Sequence, residues 1–269
     1  MLKYLKLFDT HAEYEAFTQT EDFLLPNVSY CKNVTDEVHY NPYIETKLVL
    51  KFNVTSTSSP TTIINGWRTI NFSAISIDGV LQPSVVNSYT FDTLGEHTVK
   101  YALSYPTTIG ENSFTNITNI ISVKIPSSVT TIGESAFKGC SGITNLVIPD
   151  TVTTIRDWAF DSCSGLTNVK IGSGITAIGV GMFLGCTSLA NITIPSNITS
   201  IGGRAFENCS SLVSITSLNT TAPSTVAHTF VDIMTNGTLY VPSGSTGYDV
   251  WMQETNNYLG QYGWTKIEI

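Results

Sequence analysis

The chain has 269 residues, 42% of them hydrophobic, which suffices for one large domain or two or three small ones with real cores. Charged residues make up only 13%, so the polar surface is built from Ser, Thr and Asn, and a net charge of -8 with no Lys/Arg cluster excludes a nucleic-acid partner. No apolar run approaches the roughly 18 residues of a bilayer span, and the basic start Met1-Leu2-Lys3 is interrupted before it supplies a signal peptide's apolar stretch. Either a leader has been removed or the protein leaves the cell by another route.

Residues 1–43 predict a small β-α-β element, with strands at 2–8 and 28–31. Thr10 and Glu13 form a capping box for the helix between them, and Tyr14 and Phe17 share one of its faces. Residues 44–105 alternate in short strands at 47–54, 69–77, 89–91 and 97–103, and Asp78-Gly79 is a tight-turn signal. They predict a small β-sandwich whose last strand passes into the next region without a flexible linker.

From residue 106 the chain repeats itself. Ile109, Ile132, Ile155, Ile178 and Ile201 are 23 apart, and so are Phe114, Phe137, Phe160, Phe183 and Phe206. Cys140, Cys163, Cys186 and Cys209 keep the same step, with Ile117 in the first unit's place. A period in the 20s with this core marks a leucine-rich repeat, whose units bury their apolar faces only by stacking. Five units over 106–220 predict a right-handed solenoid in a mainly β chain.

Within one unit, alternation turns Leu146 and Ile148 inward and Asn145 and Val147 outward, and Pro149 ends the strand because it has no amide to donate. Residues 152–155 turn the corner, and Ser135-Ala136-Phe137 or Trp158-Ala159-Phe160 reads as a single helical turn that drops the Phe into the core. The four repeat cysteines form a column of parallel side chains, which neither points sulfurs at one another nor converges on a metal. They read as buried thiols.

Residues 221–269 break the period and read as a cap over the open end of the core. The prediction there is a strand at 238–242, a helix opened by Ser245 that carries Tyr248, Trp251, Met252 and Tyr258, and a strand at 264–269.

The pattern A-F-x-x-C-x-x-L-x-x-I-x-I-P-x-x-V-x-x-I-G, carried by Ala136, Phe137, Cys140, Ile143, Leu146, Ile148, Pro149, Val152 and Ile155, resembles the BspA-like leucine-rich repeat family. One departure is Arg156, which follows Ile155 where other units have Gly110, Gly133, Gly179 and Gly202. The run at 239–245 resembles the end of such arrays, and residues 95–101 resemble the penultimate strand of bacterial immunoglobulin-like modules. Residues 25–42 resemble an N-terminal segment of proteins from gut and oral anaerobes and their phages. The family resemblance implies a surface or secreted bacterial protein, some of whose relatives are adhesins.

Candidate chemistry is sparse. His11, His39, His97 and His228 are scattered with no metal-binding spacing, and Cys31 with His39 lacks an orienting third residue. No catalytic residue, metal or cofactor is expected. The leading expectation is a non-catalytic adhesion or binding protein, monomeric, whose unidentified protein or glycan ligand meets the exposed sheet face at Asn145, Val147, Asn168, Lys170, Asn191 and Thr193. An asparagine ladder that only stabilises the sheet is the competing account of those residues. The alternatives are a phage or prophage receptor-binding component, with the repeats as a display rod, and, less favoured, a glycan-active enzyme.

Overall fold

The computed structural model describes residues 47–65, 71–105 and 107–269, so the element expected at 1–43 lies outside the described residues. Strand β1 (Lys47–Val54) turns Leu48, Leu50, Phe52 and Val54 into the core. The strands that follow are β2 (Thr61–Thr62), β3 (Phe72–Ile77), β4 (Val80–Leu81), β5 (Ser88–Tyr89) and β6 (Gly95–Leu103). Asp78 and Gly79 both take positive φ, 47° and 84°, and close the β3–β4 hairpin.

One sheet of order β4-β3-β6-β1-β8 holds most of this region, and a ribbon of β2 and β5 completes it. Its edge strand β8 (Ile120–Lys124) belongs to the first repeat and runs antiparallel to β1. The sheet therefore crosses the boundary expected at residues 105–106, and both sides contribute to one continuous core.

Three sides make each turn of the solenoid. The first carries β8, β10 (Asn145–Val147), β12 (Asn168–Lys170), β14 (Asn191–Ile194), β16 (Ser214–Ser217), β17 (Thr238–Val241) and β18 (Thr265–Glu268). The second carries the two-residue strands β7 (Thr108–Ile109), β9 (Thr131–Ile132), β11 (Thr154–Ile155), β13 (Ala177–Ile178) and β15 (Ser200–Ile201).

The third side corrects the expected helical turn. Asn112, Ser135, Trp158 and Arg204 have φ of 51°, 52°, 55° and 61°, in the left-handed region, and Gly181 fills the same place at 57°. Four residues further on, Asn116, Gly139, Ser162, Gly185 and Asn208 are again left-handed. With these reversals the amides of Asn112, Phe114 and Asn116 donate to the carbonyls of Glu134, Ala136 and Lys138 in the next unit. The same set recurs along the array, so this side is a hydrogen-bonded ladder, and no α-helix occurs among the described residues.

The C-terminal cap also differs from expectation. Ser214 pairs with Thr238 and Thr238 with Thr265, both in parallel, so steps of 24 and 27 residues add two further rungs. Residues 245–258 form turns where a helix was expected, followed by a 3-10 turn at Leu259–Tyr262. A solenoid of about seven turns results.

Six phenylalanine rings run down its axis. Phe114, Phe137, Phe160, Phe183, Phe206 and Phe230 stack with centroids 5.2 to 6.1 Å apart and planes within 14°. Offset ring pairs of this kind add about 0.5–1.5 kcal/mol each beyond burial. Phe72 and Tyr101 close one end of the stack and Trp251 the other, so both flanking regions plug an otherwise open apolar cross-section.

The departure at Arg156 has a visible effect. Gly133 and Gly202 lie so close to the preceding turn that an added Cβ would sit 2.5 and 2.7 Å from a backbone nitrogen. Between β11 and β13 the ladder opens, the two strands belong to separate sheets, and the Val180 amide donates to Asp157 Oδ1 at 3.1 Å. At Gly179, the glycine over that opening, an added Cβ would come no closer than 3.2 Å to Asp157 Oδ1 and 3.6 Å to the Ile155 carbonyl.

Candidate binding face

On the first side, alternation places one residue in two against the phenylalanine stack and leaves the others facing out. Asn145 stands beside Asn168 and Val147 beside Lys170 in one paired block. Asn191 stands beside Ser214 and Thr193 beside Thr216 in the next. All six expected site residues, Asn145, Val147, Asn168, Lys170, Asn191 and Thr193, are exposed on this face.

Two of them are already engaged. The Asn168 side-chain amide donates to Asn145 Oδ1 at 2.9 Å and to Thr167 Oγ1 at 3.1 Å, and the Asn145 amide donates to Thr144 Oγ1 at 3.0 Å. Here the asparagines knit adjacent rungs together. Val147 is 54% exposed and touches solvent with no such task.

The same columns continue into the region read from sequence as a cap. Thr216 stands beside Tyr240 and Tyr240 beside Ile267. One position on, Leu218 and Ile269 follow the alternation outward at 48% and 64% exposure, and Ile267 is 44% exposed. The face therefore runs from polar Asn and Thr in the middle rungs to an apolar cluster of Leu218, Tyr240, Ile267 and Ile269 at the last three. Phe230, Ile233, Leu239, Val241 and Pro242 repeat the spacing of Phe137, Cys140, Leu146, Ile148 and Pro149, and only one extra residue between β16 and Ser224 hid that unit from the 23-residue register.

The chemistry-bearing side chains serve the fold. Each repeat thiol donates to the carbonyl of a phenylalanine 26 residues earlier, Cys140 to Phe114 at 3.0 Å, Cys163 to Phe137 at 3.2 Å, Cys186 to Phe160 at 3.4 Å and Cys209 to Phe183 at 3.2 Å. Burial pushes the Cys163 and Cys209 thiols up to about 12 and raises the other two well above the ordinary value, so none is a ready thiolate nucleophile.

His97 lies in the upstream sheet with Nδ1 2.6 Å from Asp78 and Nε2 2.9 Å from the Thr93 carbonyl. Burial opposes its charge, but the Asp78 and Thr93 hydrogen bonds and the Asp78 charge outweigh that and raise its pKa. His228 meets the Asn257 side chain at 3.1 Å. His11, Cys31 and His39 lie outside the described residues, and among the described residues no group of three potential metal ligands comes together.

The family model for the BspA type leucine rich repeat region matches six copies across residues 107–227. No curated protein matches the chain. Among solved structures, a leucine rich cell surface protein from Faecalibacterium prausnitzii is 33% identical over 40% of this chain and 28% of its own, with a TM-score of 0.38. A leucine-rich repeat protein from Bacteroides ovatus is 21% identical over 60% and 43%, with a TM-score of 0.40. One from Eubacterium ventriosum is 21% identical over 56% and 46%, with a TM-score of 0.43. The chain thus spans less than half the length of each of these solved proteins.

Proposed function

Residues 107–227 of this chain are BspA-type leucine-rich repeats, and from that premise we propose that the protein is a non-catalytic binding protein whose outward sheet face meets a protein or glycan ligand. Its place is the bacterial cell surface or the extracellular space, as the repeat family suggests. One observation carries the reading: the outward column Val147, Lys170, Thr193, Thr216, Tyr240 and Ile267 changes in chemistry along the array while the inward positions stay mainly apolar as far as β17, so the face is held rigid by side chains that take no part in contact with a ligand.

A ligand fits best at the C-terminal half, from Asn191 and Thr193 to Tyr240. There polar Thr193 and Thr216 adjoin an aromatic ring that offers a large contact area at low entropic cost. Lys170 and Val147 extend the contact toward the middle of the array. Without Arg or Trp on this face, single-site affinity is weak, and a multivalent display on a surface strengthens it.

The test begins with a glycan and matrix-protein array probed with the full chain. For a ligand found there, Tyr240→Ala and Thr193→Ala weaken binding by about tenfold or more together, and Lys170→Ala weakens it less. Unchanged binding by all three variants, with unfolding midpoints intact, moves the site off this face.

A further inference from the structure

We propose that the outer edge of β18 is a self-association strand, to which a second copy of this chain adds its own β18 antiparallel about a two-fold axis at Ile267. This departs from the monomer expected from sequence and is independent of what the outward face binds.

β18 ends the order β14-β16-β17-β18 and hydrogen-bonds to β17 along one edge only. Among the described residues no strand lies on its other edge, which presents a row of amides and carbonyls suited to another strand. The identity of the arriving strand is restricted by what β18 places on its core-facing side. Earlier rungs put apolar residues there, Ile192 and Ile194 in β14 and Leu239 and Val241 in β17. In β18 the partners of Leu239 and Val241 are Lys266 and Glu268.

Another ordinary repeat stacks poorly on that pair, because its inward apolar residues would strip water from both charges, and the loose 3.6 Å contact between them does not offset a desolvation cost of several kcal/mol per ion. A strand is accepted only if it carries an acid opposite Lys266 and a base opposite Glu268. The chain's own β18 has this property. Lys266 and Glu268 flank Ile267 symmetrically, so antiparallel pairing centred there sets Lys266 against the second copy's Glu268 and Glu268 against its Lys266. Parallel pairing would set like against like, which is destabilising for residues directly opposite.

In the single chain these two side chains meet each other at 3.6 Å and are 28% and 44% exposed, and Glu268 also accepts from the Gly244 amide at 3.2 Å through its other oxygen, so the loose ion pair is the contact that exchanges between copies. The outward side agrees. Residues opposite one another in an antiparallel pair point to the same face, so the two-fold brings the Ile267 side chains together and places the two apolar clusters of Tyr240, Ile267 and Ile269 side by side. The contact is isologous and closed, as a specific dimer requires.

Sedimentation or light scattering of the full chain from low to high micromolar concentration reads the result as mass. Wild type rises toward twice the 29.2 kDa of one chain. Lys266→Glu or Glu268→Lys alone opposes like charges and shifts the midpoint of association upward by about tenfold or more. The double exchange Lys266→Glu/Glu268→Lys regains the wild-type midpoint, and mixing the two single variants yields dimers that neither forms alone, which also shows that both are folded. A mass of one chain at every wild-type concentration overturns the proposal. So does a dimer indifferent to the single exchanges, or a double exchange and a mixture that fail to recover it.

Discussion

Phe137, Phe160 and Phe183 occupy equivalent places in consecutive turns and stack in the same way, whereas one outward column of the neighbouring strands changes from Val147 to Lys170 to Thr193. Reading outward along one column gives Val147, Lys170, Thr193, Thr216, Tyr240 and Ile267. The inward side is a close-packed column in which each ring is wall and floor for its neighbours, so a change is felt by two turns at once. The outward side meets water, where a substitution disturbs little. The fold thus constrains one face of each strand and leaves the other free to carry recognition.

The largest effect tests the inward rule. Phe160→Ala removes a fully buried ring with a stacked partner on each side, at 5.6 and 6.1 Å. It should cost about 3–5 kcal/mol in denaturant unfolding of the full chain. A loss below about 1 kcal/mol would mean that the stack is looser than the ring spacing indicates.

The cysteine column gives a pH signature of the same interior. Burial holds Cys163 and Cys209 neutral up to about 12, from an ordinary value of 9.0, while in the unfolded chain they ionise near that ordinary value. Above it the unfolded state holds fewer protons than the folded one, so stability is full below 9.0 and falls as pH rises toward 12. Each thiol contributes a slope of about 1.4 kcal/mol per pH unit in that window. Cys163→Ala should flatten the alkaline fall in unfolding free energy by one thiol's share, whatever it does to stability at neutral pH.

Backbone approach between turns provides the next comparison. A methyl group at Gly202 would sit 2.7 Å from the Val180 amide nitrogen, which cannot move without shifting a turn, whereas at Gly179 its nearest neighbour would be the Asp157 carboxylate at 3.2 Å, with backbone no closer than the Ile155 carbonyl at 3.6 Å. Gly202→Ala should cost about 1–3 kcal/mol and Gly179→Ala clearly less, as thermal unfolding of the two variants would show. Equal costs would mean that the opening beside Arg156 closes in solution.

Most of the solenoid is written in single-residue periodicity, because burial repeats identical demands every 23 residues and Phe137, Cys140 and Ile155 answer each of them in kind. What escaped the sequence has a different cause in each place. The sixth unit hid behind one extra residue between β16 and Ser224, although Phe230, Ile233 and Leu239 keep the internal spacing. Ser135-Ala136-Phe137 and Trp158-Ala159-Phe160 suggest a helical turn on the third side, yet its geometry depends on positive φ at Ser135 and Trp158, types that rarely announce it. The union of β1 with β8 involves residues about 70 apart in the chain and leaves no local pattern. As for the binding face, exposure of Asn145 and Lys170 was legible from alternation, but Tyr240 and Ile267 join their column only once the rungs of 24 and 27 residues are seen to stack.

Asn168→Ala marks the small end of the scale and probes the outward rule directly. It deletes the bonds from Asn168 to Asn145 Oδ1 and to Thr167 Oγ1, both at exposed positions. Water replaces an exposed partner at little cost, so the loss should stay within about 0.5 kcal/mol, and the melting temperature should move by no more than about 2 °C. A drop several times larger would show that the asparagine pair holds the β10–β12 block together, and the outward face would then carry a structural share that its exposure does not reveal. A drop of the expected size leaves Asn145 and Asn168 replaceable without harm to the fold, which is the condition for the face to be read by a ligand.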